Sequence, residues 1–533
     1  VGGHILPFWP CWRPDRGRRS TTLDTTRVCD NPRVMATPLA KDIIERALNV
    51  AALKGAAYAD VRVVERRTET VVVKNGRVEA LSLTHHAGLG VRVLLDGSWG
   101  FASNADLSVV AAEEAAAQAV AIARASALVK TRNVELAPAP VVRDVYRTPI
   151  RQDPFAVPLE RKIELLLAAD AGMRRVQGIE VAQSSIDLYR ELKTFGSSEG
   201  SFIEQELVET GCGIEATAVR EGEVQRRSYP NSVGRHTATA GWELVEEFDL
   251  PGNAERVASE AVELLSAPPC PSGVRTVILD ATQVALQVHE SCGHAVELDR
   301  VLGAEASFAG TSFLTPERLG RYRYGSPVVN ITADATIPGG LGTFGYDDEG
   351  VPAQRTPLVR EGIFVGYLTS RDTAAELRDR LRALGNPAGI DLDRLASNGT
   401  ARADGWNRIP LIRMTNINLE PGPWALADLI ADTDDGLYME TNKSWSIDDR
   451  RLSFQFGTEW CREIKGGKLG RVYKNATYAG NTPQFWAGCD AVCREWRIWG
   501  TPNCGKGQPM QVAHVGHGAA AARFRDVQVG LMR

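Results

Sequence analysis

The order of strand-like and helix-like segments predicts an α+β protein. An N-terminal α+β domain with an antiparallel sheet is expected, with a C-terminal β-rich barrel- or sandwich-like domain carrying a candidate metal-binding helix. Three observations predict this. Strand patterns come in runs with helices segregated between them, rather than in the strict alternation of a doubly wound sheet. Asn75-Gly76 and Asp96-Gly97 sit between alternating apolar runs, the strongest local signal for tight hairpins. The segment APPCPSG, residues 267–273, breaks the chain, and the residues beyond it are mostly strand and turn.

Residues 1–34 are rich in Arg, Pro and Trp and lack periodicity, so they read as a disordered leader or a start-site overextension. Their short apolar stretch, HILPFWPCW, is broken by prolines and does not make the apolar core of a secretory signal. His4, Cys11 and Cys29 are accordingly poor ligand candidates. From Met35 the pattern becomes regular. LAKDIIERALNVAALKGA is an amphipathic helix, YADVRVVERR, ETVVVKNGRVEALSLT and LGVRVLLDGSWGFASN are strands, and LSVVAAEEAAAQAVAIARASA is an Ala-rich helix. A Pro-bearing connection, 138–158, leads to the helix ERKIELLLAADAGMRR, to further strands up to about residue 240, and to one helix over ELVEEFDLPGNAERVASEAVELLSA. These make an N-terminal domain over 35–270, leaving 271–533 for the second. There VRTVILD is a buried strand, Thr282 caps a helix with Val284, Ala285, Val288 and Val296 toward a core, and VVNITADATI, GTFGYDDEGVPAQ, TPLVREGIFVGYLTS, IRMTNINLE, GLYMETNKSW and LSFQFGTEWCREIKGGKLGRVYKN supply strands and turns.

With 44% hydrophobic and 24% charged residues and a net charge of only −5, the chain has ample core and no electrostatic footprint for nucleic acid or an anionic membrane. No apolar stretch is long enough to span a bilayer. Nine cysteines, odd in number and scattered over 533 residues, argue against a disulfide framework and for a reducing, cytoplasmic location. No Gly-rich loop sits between a strand and the start of a helix, so no nucleotide site is expected.

The chemistry concentrates in QVHESCGHAVELDR and, far downstream, TPNCGKGQP. His289, His294 and Cys504 are ligand types that hold zinc, three protein ligands leave a fourth position open, and Glu290 stands beside the first histidine. The spacing departs from the usual His-Glu-x-x-His. On a regular α-helix two residues five apart point about 140° away from each other, so their rings cannot share an ion. A π-bulge inserts one residue into a turn and returns both rings to one face, and Gly293 lowers the cost of that distortion by its backbone freedom and missing side chain.

Other groups carry weaker signals. His514 and His517 lie near Cys504 and are alternative ligands or transition-state donors, with a place behind the ligands or against substrate preferred. Cys489 and Cys493, with Cys461, have a permissible but weak spacing for a second structural zinc, and buried free thiols are the default. Cys292, between the two histidines, should face away from the bulge and pack. Asp347, Asp348 and Glu349, at a Gly-flanked turn, read as solvated, with orientation of a metal-bound histidine or capture of a peptide N-terminus as the alternatives.

Four segments, HESCGHAVELDR, GTFGYDDEGVP, ETNKSWSIDDRRLSFQFGTE and CGKGQPMQVAHVGHGAAAARFRDVQVG, resemble the TldD-type subunit of the TldD/PmbA (TldE) metallopeptidases, and the resemblance runs from Met35 to Arg533. It implies a zinc ion held by His289, His294 and Cys504, with Glu290 as the catalytic carboxylate; the paralogous PmbA or TldE subunit lacks these ligands. It further implies cleavage of short or unfolded peptides, including leader peptides, as a heterodimer with a PmbA/TldE-type subunit or as a homodimer. Asn442, Ser444 and Trp445 belong by the same resemblance to the substrate strand or ligand surroundings. The expected mechanism has zinc lowering the pKa of its water and polarising the carbonyl, and Glu290 taking the water's proton and passing one to the leaving amine. Two other readings stand: a non-catalytic peptide- or toxin-binding regulator with structural zinc, against which the open fourth position argues, and a zinc amidohydrolase, which needs a closed pocket rather than an extended cleft.

Overall fold

The structure, a computed structural model, describes residues 37–530. The segment 1–34, with His4, Cys11 and Cys29, lies outside the described residues. The chain opens with α1 (Thr37–Leu53), β1 (Tyr58–Lys74), β2 (Arg77–Leu95), β3 (Ser98–Asn104) and α2 (Val109–Ala127). Then come β4 (Arg143–Arg147), α3 (Leu159–Arg174), β5 (Ile179–Ser197), β6 (Phe202–Arg220), β7 (Glu223–Tyr229), β8 (His236–Ala238), α4 (Glu243–Phe248) and α5 (Leu250–Ser266). The strands form one eight-stranded sheet, ordered β3-β2-β1-β5-β6-β4 with β7 and β8 also on β6, antiparallel except for β4 beside β6. Both expected hairpins are present: Asn75, Gly76, Asp96 and Gly97 all have positive φ, the mirror-type turn that matches strand twist. Val61 and Val63 of β1 feed a core under α1 and α2, whereas Val71 and Val73 feed a second core under α3 and α5. The last expected helix is two, because Asp249 adopts φ 39° and starts α5 with Pro251 in its first turn.

The second half begins with β9 (Gly273–Leu279), α6 (Ala281–Val288), α7 (Leu298–Val301), β10 (Ile331–Asp334), β11 (Arg355–Arg360), β12 (Ile363–Phe364) and α8 (Arg371–Ala383). It continues through β13 (Ala401–Arg402), β14 (Leu411–Ile412), β15 (Ile417–Leu419), α9 (Leu426–Ala431), β16 (Asp435–Ile447), β17 (Ser453–Lys465), β18 (Lys468–Tyr473) and β19 (Thr477–Asn481). It ends with α10 (Thr482–Ala487), β20 (Cys489–Val492), β21 (Arg497–Lys506), β22 (Gln511–Ala519) and β23 (Ala522–Gly530). Here β16, β9, β23, β19 and β17 pair in succession and β17 pairs back to β16, closing a five-stranded barrel. A ring of five cannot be antiparallel at every step, and the β9–β16 pair is the parallel one. The β21–β22 hairpin stands apart from the barrel. Among the described residues no helix is long and apolar enough to cross a membrane.

The acidic turn differs from its expectation. Residues 343–352 form no strand, and Asp347, Asp348 and Glu349 are buried rather than solvated. Their hydrogen bonds go to groups other than His289 and His294. Asp347 accepts the backbone amides of Glu349, Val351 and Ala401. Asp348 meets Lys193 Nζ at 2.6 Å and Arg62 at 3.6 Å, and takes the Ala403 amide. Glu349 meets Arg92 at 3.2 Å and the Arg371 amide at 2.7 Å. Because Arg62, Arg92 and Lys193 sit on the N-terminal sheet, this turn pins that sheet to the second half; a charge placed here had to find partners to leave water. Glu459 on β17 makes a further link, accepting Ser228 N at 2.8 Å and its hydroxyl at 2.9 Å. Burial pushes its carboxyl up to about 7, against the opposing pull of Arg227 and Arg226.

Candidate metal centre

Asp280 opens α6, its carboxylate accepting the amides of Thr282 and Gln283, so the cap is Asp280 rather than Thr282, whose hydroxyl donates to Asp280 instead. The helix then widens. Residues His289–Gly293 form a π turn in which the His294 amide donates to the carbonyl of His289, five residues back, and a 3-10 turn comes next over His294–Val296. Widening releases carbonyls from their usual partners, and the Ser291 hydroxyl donates to one, Gln287 O, while accepting Trp486 Nε1 at 2.9 Å. Gly293 has ordinary right-handed dihedrals, so its backbone freedom is unused. What matters is the missing side chain: a Cβ would stand 2.3 Å from Met414 Sδ. Cys292 packs in the core away from the site, where burial pushes its thiol up to about 12.

The π turn brings His289 and His294 edge to face, ring centroids 4.9 Å apart. Cys504 on β21 reaches both, its Sγ 3.6 Å from each Nε2. These ligand atoms all lie within 4.8 Å of one another, the one such group of three among the described residues. Cys461, Cys489 and Cys493 are buried free thiols and form no second cluster there. The β21–β22 pairing slips between Thr501 and Cys504, and Arg413 clamps the Cys504 carbonyl, which fixes the thiol's approach.

The far side of each ring is held. His289 Nδ1 lies 2.8 Å from His517 Nε2, and His294 Nδ1 lies 2.9 Å from Glu297 Oε2. Glu297 is itself gripped by Lys506 and Arg300, both at 3.5 Å, and Lys506 reaches Asp299 at 2.6 Å. Burial works to raise the Glu297 carboxyl, but Lys506, His294 and Arg300 outweigh it and hold it well below the usual range. An ionised Glu297 accepts a hydrogen bond from Nδ1–H of His294 and leaves the Nε2 lone pair facing Cys504. Burial lowers the pKa of both His289 and His294, favouring neutral rings. At Cys504 burial acts to raise the thiol, yet His294 and Arg413 prevail and lower it. Two imidazoles and a thiol whose lone pairs converge are the donor types a transition metal takes, so the donor set fits a tetrahedral ion with one position left over.

Glu290, adjacent to His289, lies in the same cleft and accepts Arg451 Nη1 at 2.9 Å. The cleft has a volume of about 470 Å³. One wall is the end of β16, with Asn442, Trp445 and Ile447; the other is β21, with Thr501, Asn503 and Gly505. Asn442 braces the bulge in β16 by donating to Ser444 O and Gly457 O, Ser444 pairs with Gly457 on β17, and Trp445 is largely exposed. Asn231 and Ser232, from the loop between β7 and β8, complete the rim. Of the two late histidines, His517 stands behind His289, whereas His514 points elsewhere, to Glu209 at 2.6 Å and, edge-on, to the Tyr189 ring. Sequence reasoning missed Arg451, Glu297, Lys506 and the Asn231–Ser232 rim. Glu297 carried a usable signal, a carboxylate three residues after a histidine; Arg451 and Asn231–Ser232 come from remote turns, and Lys506 from the end of β21, and these carried none.

The chain is similar to known proteins along most of its length. The PmbA/TldA metallopeptidase C-terminal domain matches residues 272–531, its domain 1 matches 59–127 and its central domain matches 152–267. A metalloprotease of Methanocaldococcus jannaschii is 30% identical, covering 86% of this chain and 94% of its own length. A metalloprotease TldD homolog of Haemophilus influenzae is 26% identical over 89% and 92%. A zinc metalloprotease TldD homolog of Saccharolobus solfataricus is 23% identical over 65% and 71%. The crystal structure of TldE from Thermococcus kodakarensis shares the fold, with a TM-score of 0.67 at 16% identity, covering 91% of this chain and 99% of that one. With a buried His-His-Cys cluster at its centre and relatives named as metalloproteases along most of its length, the chain belongs to the PmbA/TldD family of metallopeptidases.

Proposed function

We propose that this metallopeptidase is zinc-dependent, that His289, His294 and Cys504 are the ligands, and that it hydrolyses short or unfolded peptides with Glu290 as general base. The observation that carries the reading is the convergence of three donor atoms within 4.8 Å at the floor of an open cleft, beside a carboxylate. A soft thiolate with two imidazoles suits zinc, and one relative is named a zinc metalloprotease. When bound, zinc supplies Lewis acidity to the carbonyl and a lowered pKa to water. Glu290 accepts the attacking water's proton and returns it to the leaving amine. Lys506 and Arg300 keep Glu297 ionised, so His294 stays oriented through turnover.

The cleft's shape supports a peptide rather than a small amide as substrate. Strand β9 pairs with β16 only at residues 437–439, so among the described residues the edge of β16 over 442–447 that faces away from β17 has no strand partner. A peptide in extended form adds there by main-chain hydrogen bonds, which gives affinity with little sequence preference. Because a TldE shares this fold, a PmbA/TldE-type subunit is the expected partner, with a homodimer as the alternative. The test is elemental analysis of the purified protein together with cleavage of an unstructured peptide with and without chelator. One zinc per chain and chelator-sensitive cleavage are expected; no zinc, or cleavage that survives its removal, would refute the reading.

A further inference from the structure

Arg451 stands in the cleft beside Glu290, and its conformation is unusual. It lies on the turn joining β16 to β17 with φ +64°, a left-handed value uncommon for a residue with a long side chain. The surroundings hold it there. Asp448 accepts the amides of Arg450, Leu452 and Ser453 with its carboxylate and that of Arg451 with its carbonyl, while the Thr482 hydroxyl donates to the Arg451 carbonyl. This brace aims the guanidinium inward, where it is 14% exposed. Its Nη1 donates to Glu290, and its Nε is buried without any hydrogen-bond partner. A guanidinium has five donors in a rigid fork, so one carboxylate oxygen leaves most of its capacity unused. Those unused donors belong to a residue that lines the cleft beside Glu290 and the His-His-Cys cluster, where a substrate oxygen would arrive.

We infer that Arg451 is a further catalytic residue, the donor that receives the scissile carbonyl oxygen as negative charge develops on it. This assignment rests on the hydrolase reading above. As the water oxygen bonds to the carbonyl carbon, the π pair of that carbonyl moves onto its oxygen and the water's proton goes to Glu290. The guanidinium stays protonated and donates to the new oxyanion. When the C–N bond breaks, the carbonyl re-forms and the proton on Glu290 goes to the departing nitrogen. Preorganised donors of this kind act on the charge of the transition state and little on the neutral substrate.

The test uses Arg451→Gly, which deletes the guanidinium and also suits the left-handed φ, so that loss of activity cannot arise from a strained turn. Its kcat should fall roughly 10²–10³-fold with KM nearly unchanged, the loss typical of one missing oxyanion donor. Millimolar guanidine hydrochloride should restore part of kcat to Arg451→Gly and none to Arg451→Lys, whose ammonium still occupies the space. By calorimetry, a peptide with a phosphonate in place of the scissile amide should lose affinity in step with kcat, whereas a non-cleavable peptide with an N-methylated amide should not. An Arg451→Gly protein that keeps its kcat, or one that loses affinity for both peptides alike, would overturn the assignment alone. A wild-type protein that holds zinc and cleaves nothing would overturn the peptidase chemistry, and this role with it.

Discussion

At the turn 347–349, all six carboxylate oxygens meet a donor, and each donor comes from a neighbouring strand or backbone amide. In the cleft, by contrast, two ring nitrogens and a sulfur point at one another. Both regions bury charged or polar groups almost completely. The difference is whether their hydrogen-bonding capacity is consumed. Where it is consumed, the groups fasten the N-terminal sheet to the second half; where lone pairs converge on a point beside an open cleft, the groups are set for an ion and a reaction.

Substitutions in the two regions and at the second link between the halves would sharpen or break that contrast. The largest effect is expected at Glu290. Glu290→Gln should cut peptide hydrolysis by roughly 10²–10⁴-fold while bound zinc is retained, whereas His289→Ala and Cys504→Ala should lose the metal as well. Unchanged turnover in Glu290→Gln would remove the general-base assignment. At the turn, Arg92→Ala strips partners from both Asp60 and Glu349, and denaturant unfolding should show a loss of about 3–5 kcal/mol with zinc content unaltered. Loss of metal without loss of stability would mean that the two regions are not separable. Glu297→Gln should weaken zinc affinity by about 10–100-fold in competition with a chromogenic chelator, since His294 loses its charged brace. The smallest effect is at Glu459. Its folded pKa, about 7, lies above the unfolded carboxylate value, so its contribution is present below about pH 4.3 and lost as pH rises through 7. Glu459→Gln should therefore unfold with the wild type at pH 4.5 but be more stable at pH 8, by on the order of 1 kcal/mol. Parallel melting profiles across that range would contradict it.

Much of the fold and the site is legible in the sequence because it is local. The two hairpins come from Asn-Gly and Asp-Gly, and the need for a π turn comes from counting residues between His289 and His294. The acidic turn is the opposite case. Its burial depends on Arg62, Arg92 and Lys193, which lie more than 150 residues away, and local composition does not report distant partners. The helix α8, RDTAAELRDRLRA, escapes notice amid strand-like neighbours although Ser370 and Thr373 form a capping box. Glycine at 293 is needed for only one of the two reasons that sequence suggests: Met414 excludes a side chain, whereas the backbone makes no use of glycine's freedom. Arg451 reaches the cleft through hairpin geometry that no spacing rule encodes.

The passage from α to π to 3-10 within residues 281–296 can also be seen as arithmetic on chain length. The wide turn takes in one residue more than an ordinary turn, and it does so without shifting the phase of the residues beyond it. Excising Ser291 would therefore give the histidines the familiar four-residue spacing and still leave both rings on one face. The loss would fall elsewhere, on Trp486, whose indole N–H would be buried with no acceptor, and on the Gln287 carbonyl. One arrangement of rings can thus be spelled in two lengths of chain. A reader who searches for the shorter spelling alone passes over the longer one, although the two present the same face to an ion.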